Sequence, residues 1–525
     1  MARKQHSTPP PFVLLIMDGW GIAPKSKANA IELAKKPHFD YLWKHYPHTE
    51  LRAAGKDVGL PPDQEGNSEA GHMNIGAGRV VDQDSVAISK AINTGKFFKN
   101  PAFTAAHTHI KKNKSNLHIM GMLADDQSGH ADPDHLLALL SWARMKKIKN
   151  VYLHLFTDGR DSRPHASLKL IEALMRQLKN QESGGHRSGE WIATITGRYY
   201  AMDRKKEWSR TEKAYDAMLL GKGLKAKSPQ EAITQSYNRG ETDEFIPPYV
   251  IERAGKPIAT IDDGDAIIFF NLRSDRARQM SKPFVQPEFN KLNPKSFKRK
   301  KILKNVVFVA MTDFGPDLDS ILTAFPSADI INTLPAVLKN IKQLYIAENE
   351  KYAHITYFFN GGYADPVDDE DRVLISSPAV PSYDKTPAMS TYKITERVIK
   401  SLSRYQFIAI NFAIPDMVGH TGNMKATTKS VEAVDACVGK LYHHISKLHG
   451  TLVITSDHGN AERKLDVATG EMYTEHTVNP VPFILIESKK TPRRLRRGRL
   501  CDVAPTIIKL LKIPKPKEMT GKALF

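Results

Sequence analysis

The reactive side chains of this sequence fall at turns and at the ends of apolar runs. "PDMVGHTG" sets Asp416 and His420 four residues apart, a spacing that lets both face one way on a helical turn. "TSDHGNAE" supplies the adjacent pair Asp457 and His458, "EHTVNPVP" adds His476 before a turn, and "MDGWG" adds Asp18. Three carboxylates and three imidazoles are enough ligands for two divalent cations. Mixed oxygen and nitrogen donors suit Mn²⁺, Zn²⁺ or Mg²⁺, and the absence of thiolates argues against a structural zinc cage. Two such cations clamp the oxygens of a phosphoryl group during in-line displacement. A nucleophile is available in "GNSEAGHMNIGAGR", residues 66–79, where Ser68 sits among glycines. A serine hydroxyl is a weak nucleophile at neutral pH, and coordination to a cation is one way to deprotonate it. The stretch lacks the GxxxxGK[ST] pattern of a phosphate-cradling loop. Its glycines are read as letting the backbone turn tightly near the cations, with Glu69 and His72 as support.

The middle of the chain is rich in arginine. "TDGRDSRP" gives Arg160 and Asp161, "GRYYAMDR" gives Arg198 and Arg204, and "FFNLRSDRARQ" gives Arg273 and Arg276. Guanidinium forks bind carboxylate and phosphate bidentately, so converging arginines imply a small, doubly anionic ligand. His130 in "DDQSGHADPDHL" is placed to position or protonate a substrate hydroxyl, and Lys351 to neutralise phosphate charge. His135 is assigned to the helix that follows. His107, His109, His443, His444 and His449 lack a turn or strand-end context and read as ordinary surface or helix residues.

These residues need elements to hold them. Apolar runs such as "FVLLIM", "NVYLHLF", "WIATITG", "AIIFFNL", "HITYFF", "FIAINFA" and "TLVITS" alternate with amphipathic helical stretches such as "VEAVDACVGKLYHHISKL". That alternation predicts α/β layers with largely parallel sheets, whose functional groups gather beyond the carboxyl ends of strands. Asp18, Asp158, Arg198, Arg273, Asp416 and Asp457 each follow such a run. Acidic and histidine candidates lie near both chain ends and arginines in the middle, which suggests one domain built from both ends with a second inserted.

Composition bounds the class. The 525 residues are 41% hydrophobic and 25% charged, as expected of a soluble globular enzyme with more than one domain. Two cysteines, Cys437 and Cys501, exclude a disulfide framework and favour a reducing cytoplasm. "PFVLLIM" at 11–17 is too short for a membrane span and lacks a cleavage site, and no apolar run approaches 18 residues. Lys and Arg outnumber Asp and Glu by 76 to 57. The densest basic runs, 297–304 and 489–499, lack interleaved aromatics, so a solvated basic face is preferred over a nucleic-acid site.

Together, "LLIMDGWG", "GNSEAGHMNIGAGR", "GRYYAMDR", "EKYAHITYFFNGG", "PDMVGHTG" and "SDHGNAE" closely resemble the cofactor-independent phosphoglycerate mutases of the alkaline phosphatase superfamily. The resemblance runs through to "EMTGKALF". It implies a discontinuous alkaline-phosphatase-like metal domain, residues 1–83 and 324–525, and an inserted α/β substrate-binding (transferase) domain, residues 84–323. It implies a cytoplasmic monomer that interconverts 3-phosphoglycerate and 2-phosphoglycerate in glycolysis and gluconeogenesis. No bisphosphoglycerate, nucleic acid or membrane would take part. Two divalent metals are expected, Mn²⁺ first, with Mg²⁺, Co²⁺ or Zn²⁺ as alternatives. One metal would take Asp416, His420 and His476, and the other Asp18, Ser68, Asp457 and His458. Ser68 would be the nucleophile that carries a phosphoserine. His130, Arg160, Asp161, Arg198, Arg204, Arg273, Arg276 and Lys351 would bind substrate. Around His130 the run departs from the family's usual GGVHSH-like pattern, and "AIPDMVGH" replaces the more usual "ANPDMVGH". A phosphohydrolase or phosphopentomutase of the same superfamily, and more remotely a basic nucleic-acid-binding protein, are the competing readings.

Overall fold

The computed structural model describes residues 10–125, 128–182, 189–318, 320–327, 330–368, 370–466, 469–488 and 493–525. Part of the run around His130 (126–127) and of the basic run at 489–499 (489–492) lies outside them. The chain divides into two compact units, Met1–Gln83 with Asp329–Phe525, and Asp84–Ala328.

In the first unit the described strands form an eight-stranded sheet. Its order is Glu370–Ile375, Gln343–Glu348, Phe407–Phe412, Phe12–Met17, Thr451–Thr455, Val481–Ile486, His48–Arg52, Gly498–Arg499. The run "FVLLIM" is apolar at every position because it lies between two parallel neighbours and is covered on both faces. Val13, Leu15 and Met17 pack with Val431, Val434, Val438 and Leu441 of the long helix Met424–Lys447. Phe12, Leu14 and Ile16 pack on the other face with Ile75 of the helix Ser68–Ala77 and Ile507 of Val503–Leu510. Parallel register then brings the strand exits to one edge. Met17 pairs with Phe412 and Ile16 with Thr455, so the residues after each strand emerge together.

The second unit has a nine-stranded sheet. Its central strands run in the order Ala266–Phe269, Leu117–Leu123, Asn150–Thr157, Gly189–Gly197, all parallel. Its core is a single apolar cluster that includes Trp142, Phe156, Phe269 and Tyr249. The α/β architecture with largely parallel sheets is as the sequence pattern predicts.

One expected strand is not a strand. "HITYFF" is helical: Asn349–Ala353 leads into the wider π turn His354–Phe358. The preceding run Gln343–Glu348 fills that place in the sheet. Burial there follows a helical period, since Ile355 and Phe359 are fully buried four residues apart while Tyr357 is exposed. The β-branched and aromatic composition signalled burial, not the period.

Glu348 ends that strand and precedes the helix, and it is fully buried. Its Oε1 accepts a hydrogen bond from the Ser390 backbone N–H at 3.4 Å. Burial pushes this carboxyl up to about 7 from an ordinary 4.5. With the folded pKa above the unfolded one, the native state binds the extra proton between those values, and stability falls as pH rises through that window. Replacing Glu348 by Gln should therefore stabilise the protein at pH 8 by on the order of 2–3 kcal/mol. The gain should vanish near pH 4.5. Denaturant midpoints of both proteins at the two pH values measure it.

Candidate active site

At the carboxyl edge of the first sheet, four neighbouring strands deliver Lys351, Asp416, Asp18 and Asp457 in that order across the sheet. The backbone fixes the loops to one another. Asp18 N–H donates to Phe412 O at 3.1 Å, Asp416 N–H to Asp18 O at 3.1 Å, and Gly19 N–H to Asp457 Oδ1 at 3.3 Å. Asp18, Asp416, Asp457 and His458 are all buried.

His420 and His476 show what this edge is built for. His420 Nδ1 lies 2.8 Å from the Thr474 carbonyl, and His476 Nδ1 lies 2.8 Å from the Gly66 carbonyl. A carbonyl only accepts, so each Nδ1 carries the hydrogen and each Nε2 of a neutral ring presents a lone pair. Burial and the neighbouring His458 push His476 below its ordinary pKa, which favours that neutral form. The two Nε2 atoms are 3.0 Å apart, and Asp416 Oδ1 is 3.2 Å from one and 3.4 Å from the other. Three acceptors converging on one point fit a cation there.

A second set lies alongside. His458 Nε2 is 3.0 Å from Ser68 Oγ and 3.4 Å from both Asp18 Oδ1 and Asp457 Oδ2. Asp457 Oδ2 is buried without a well-formed hydrogen bond, His72 Nδ1 standing 3.2 Å away and engaged by the Ser68 carbonyl, and a cation would satisfy it. Burial opposes charge on His458, but the Asp457, Asp18 and Asp416 carboxylates outweigh it and lift its pKa to about 9. The same field acts on Lys351. Its Nζ donates to Asp18 Oδ1 at 2.7 Å, Ser68 Oγ at 2.6 Å and Asp416 Oδ2 at 2.7 Å. Despite burial, the carboxylates hold its pKa above the ordinary lysine value. Asp416 and Asp457 are held well below the carboxylate range; burial opposes this, and the Lys351 and histidine charges prevail. The donor set thus fits divalent cation binding: Asp416, His420 and His476 converge in one group, and Asp18 with Asp416 and His458 in another beside it.

His72 also lies within ligand distance of Asp18 and Asp457. Its Nδ1 is 2.9 Å from the Ser68 carbonyl and its Nε2 is 3.0 Å from Asn411 Nδ2, which also donates to Asp18 Oδ2 at 2.7 Å. Both ring nitrogens are thereby engaged, and His72 supports the ligands instead of joining them.

Ser68 is the first residue of the helix Ser68–Ala77, and Asn67 caps that helix by accepting from Ala70 N–H at 2.9 Å. Gly71, one turn on, faces the Asp457 loop. A Cβ at Gly71 would stand 2.5 Å from the Asp457 carbonyl and 2.8 Å from its Cβ. The glycine therefore permits close approach of the Ser68 helix and the Asp457 loop.

Glu462, Asn460, Asn411 and Lys464 were not among the sequence-level candidates. Glu462 is buried, and its Oε2 accepts from Gly21 N–H at 3.1 Å and Asn460 N–H at 2.9 Å. Its Oε1 accepts from Thr477 Oγ1 and from Asn479 Nδ2 at 3.0 Å. One carboxylate thus ties the loops that carry Asp18, His458 and His476. The signal for it was its place in "SDHGNAE", four residues past the histidine of an aspartate–histidine pair.

In the second unit, the strand ends bring His130, Asp158, Asp161 and Arg198 together. Arg198 is buried and donates to Asp158 Oδ1 at 2.5 Å and Asp161 Oδ2 at 2.7 Å, with His130 Nε2 at 3.1 Å. His130 Nε2 is also 3.3 Å from Asp161, and His130 and Arg198 hold the Asp161 carboxyl well below its ordinary range. Arg204 and Arg273 are half-exposed and share Asp275, at 2.5 and 3.6 Å. Arg276 donates to the Met202 carbonyl at 3.2 Å, and burial with nearby Arg204, Arg198 and Arg160 pushes its pKa down. Arg160 is exposed, 3.7 Å from Glu244. Positive charge here exceeds what the neighbouring carboxylates cancel, which fits an anionic ligand.

A largely parallel sheet whose strand ends converge carboxylates, imidazoles and a serine is the frame of a metal-dependent enzyme. The chain accordingly matches the Metalloenzyme superfamily over residues 10–515. It is 46% identical to the 2,3-bisphosphoglycerate-independent phosphoglycerate mutase of Clostridium acetobutylicum, covering 98% of this chain and 99% of that one. It is 47% identical to the enzyme of the same name from Clostridium perfringens, with 98% and 99% covered. The solved structure of Leishmania mexicana phosphoglycerate mutase, 30% identical, superposes with a TM-score of 0.71 and covers 99% of both chains. The chain belongs to the 2,3-bisphosphoglycerate-independent phosphoglycerate mutases.

Replacing Gly71 by Ala should push the Ser68 helix off the Asp457 loop. We expect kcat/KM to fall about 10²-fold from misplacement of Ser68 and stability to fall by about 1–3 kcal/mol. Steady-state kinetics and denaturant melts on the purified variant measure the two effects separately.

Proposed function

We propose that this enzyme interconverts 3-phosphoglycerate and 2-phosphoglycerate through a phosphoserine on Ser68. The observation that carries the reading is the setting of Ser68 Oγ, 2.6 Å from the Lys351 ammonium and 3.0 Å from His458 Nε2 at a helix start. Asp416, His420 and His476 would hold one divalent cation, and Asp18, Ser68, Asp457 and His458 the other. Bound there, the cations would lower the pKa of the serine hydroxyl and neutralise phosphoryl oxygens. Mn²⁺ is our first choice for both, given the mixed oxygen and nitrogen donors.

The protein's own groups supply the rest. The Lys351 ammonium stabilises the alkoxide of Ser68 as it attacks phosphorus, and the positive end of the Ser68 helix favours the charge of the resulting phosphoserine. Arg198, Arg204, Arg273, Arg276 and Arg160 hold the glycerate carboxylate while the molecule reorients, since their forks match a carboxylate. Asp161, which accepts from Arg198, and His130, whose Nε2 lies 3.1 Å from Arg198 and 3.3 Å from Asp161, move the proton between substrate hydroxyls. The other hydroxyl then takes the phosphoryl group back from Ser68. We read the enzyme as a cytoplasmic monomer that needs no bisphosphoglycerate. Among the described residues no helix is long and apolar enough to cross a membrane.

The test is conversion of 3-phosphoglycerate by metal-stripped protein, with and without added Mn²⁺ and with no bisphosphoglycerate. We expect 2-phosphoglycerate only with the cation. Release of free phosphate in its place would make the protein a phosphohydrolase. Ser68→Ala should lose activity by roughly 10⁴-fold or more and form no phosphoenzyme detectable by mass spectrometry. A fully active variant would sink the phosphoserine scheme.

A further inference from the structure

Lys464 is fully buried in the first unit, and nothing in the reaction above uses it. Its Nζ donates to Asn460 Oδ1 and to the Gly419 carbonyl, the latter at 3.2 Å. Gly419 ends the short helical turn Asp416–Gly419, which runs directly into His420. Asn460 Nδ2 donates to Asp416 Oδ1 at 2.8 Å, the same oxygen that faces His420 and His476. A Cβ on Gly419 would stand 2.2 Å from Asn460 Oδ1 and 3.3 Å from Lys464 Nζ, so the missing side chain makes room for this junction.

The chemistry of the chain of contacts fixes its direction. A carboxylate can only accept, so Asn460 must turn its NH₂ toward Asp416. An ammonium can only donate, so the amide oxygen must face Lys464. Both ends demand the same orientation of one amide. We propose that Lys464 is a positioning residue for the Asp416–His420–His476 cation site, acting through Asn460. The ammonium locks the Asn460 amide, and the amide in turn sets the rotation of the Asp416 carboxylate. Its hold on the Gly419 carbonyl fixes the turn that presents Asp416 and His420 together. Burying an ammonium is costly, and an apolar side chain of similar size would fill the space at less expense. Charge repulsion alone would have Lys464 weaken cation binding, whereas positioning has it strengthen binding, so the sign of the effect separates the two.

This inference rests on the two-cation reading. The experiment is titration of metal-free full-length protein with Mn²⁺ by calorimetry, alongside thermal melts of the metal-free forms. In Lys464→Met one of the two dissociation constants should rise about tenfold or more, the size expected when the partner of a ligand is lost. The melting temperature of the metal-free variant should not fall. Lys464→Gln, whose amide N–H still donates to Asn460 Oδ1, should stay within about threefold of the wild type. Asn460→Ala should weaken binding similarly, and adding Lys464→Met to it should cost nothing further. Unchanged or tighter binding in Lys464→Met, or additive effects in the double variant, would overturn the proposal. Wild-type protein that binds no Mn²⁺ would overturn the two-cation reading and this inference with it. Lys464→Leu and Lys464→Ala make the same deletion in other shapes, should the Met variant not fold.

Discussion

The structure depends on confining negative charge and lone pairs where water cannot screen them. Asp18, Asp416 and Asp457 lie buried at the ends of three adjacent strands, with the Nε2 atoms of three histidines directed at them. Such a cluster does not stand without positive charge. In the metal-free protein Lys351 and a protonated His458 supply it, and both pKa values are lifted for that reason. Two divalent cations would supply it more fully. The carboxylates answer to the same balance, since the cations that surround Asp416 and Asp457 are what keep them ionised despite burial. The setting of Ser68 belongs to the same electrostatic balance, because Ser68 Oγ sits among the same groups.

Parallel strands make this concentration possible. Apolar residues on both faces of Phe12–Met17 hold the strand between its neighbours, and register alone then sends Asp18, Asp416 and Asp457 out at one edge. The core and the site are in this sense one design. The sheet's apolar faces supply the free energy, and its edge carries the polar groups whose burial costs some of it. Glu462 closes the arrangement by hydrogen-bonding three ligand-bearing loops at once. A single carboxylate with its acceptor sites filled makes the loops a unit.

Much of this is legible in the sequence. Alternating apolar and amphipathic runs gave the layer architecture, and strand-end polar residues gave both the acidic and the arginine-rich groups. They were legible because each first-layer residue is chemically rare where it stands: an aspartate after six apolar residues needs a reason. The supporting residues lacked that mark. Asn411 sits inside "FIAINFA" and reads as one polar interruption of a strand, yet its amide joins Asp18 to His72. Asn460 and Glu462 look like loop residues, and Lys464 looks like a solvated lysine in a polar run. What they do depends on partners 40 or more residues away, such as Asp416 for Asn460 and Gly21 for Glu462, which no local pattern encodes. "HITYFF" failed for a related reason. Its composition registered that it is buried, while the period of that burial was set by packing against the Ser68 helix.

The serine itself shows how far local and distant information divide. Its helix start, its cap at Asn67 and the close approach at Gly71 are all written within "GNSEAGHMNIGAGR". Its reactivity is not. Ser68 Oγ is set by Asp18, fifty residues upstream, and by Lys351 and His458, several hundred residues downstream. The glycine-rich helix start sets where Ser68 stands, and the sheet brings those three groups within 3.4 Å of its hydroxyl. The fold surrounds an ordinary hydroxyl with charged groups, and the glycines' part is to let it come close enough.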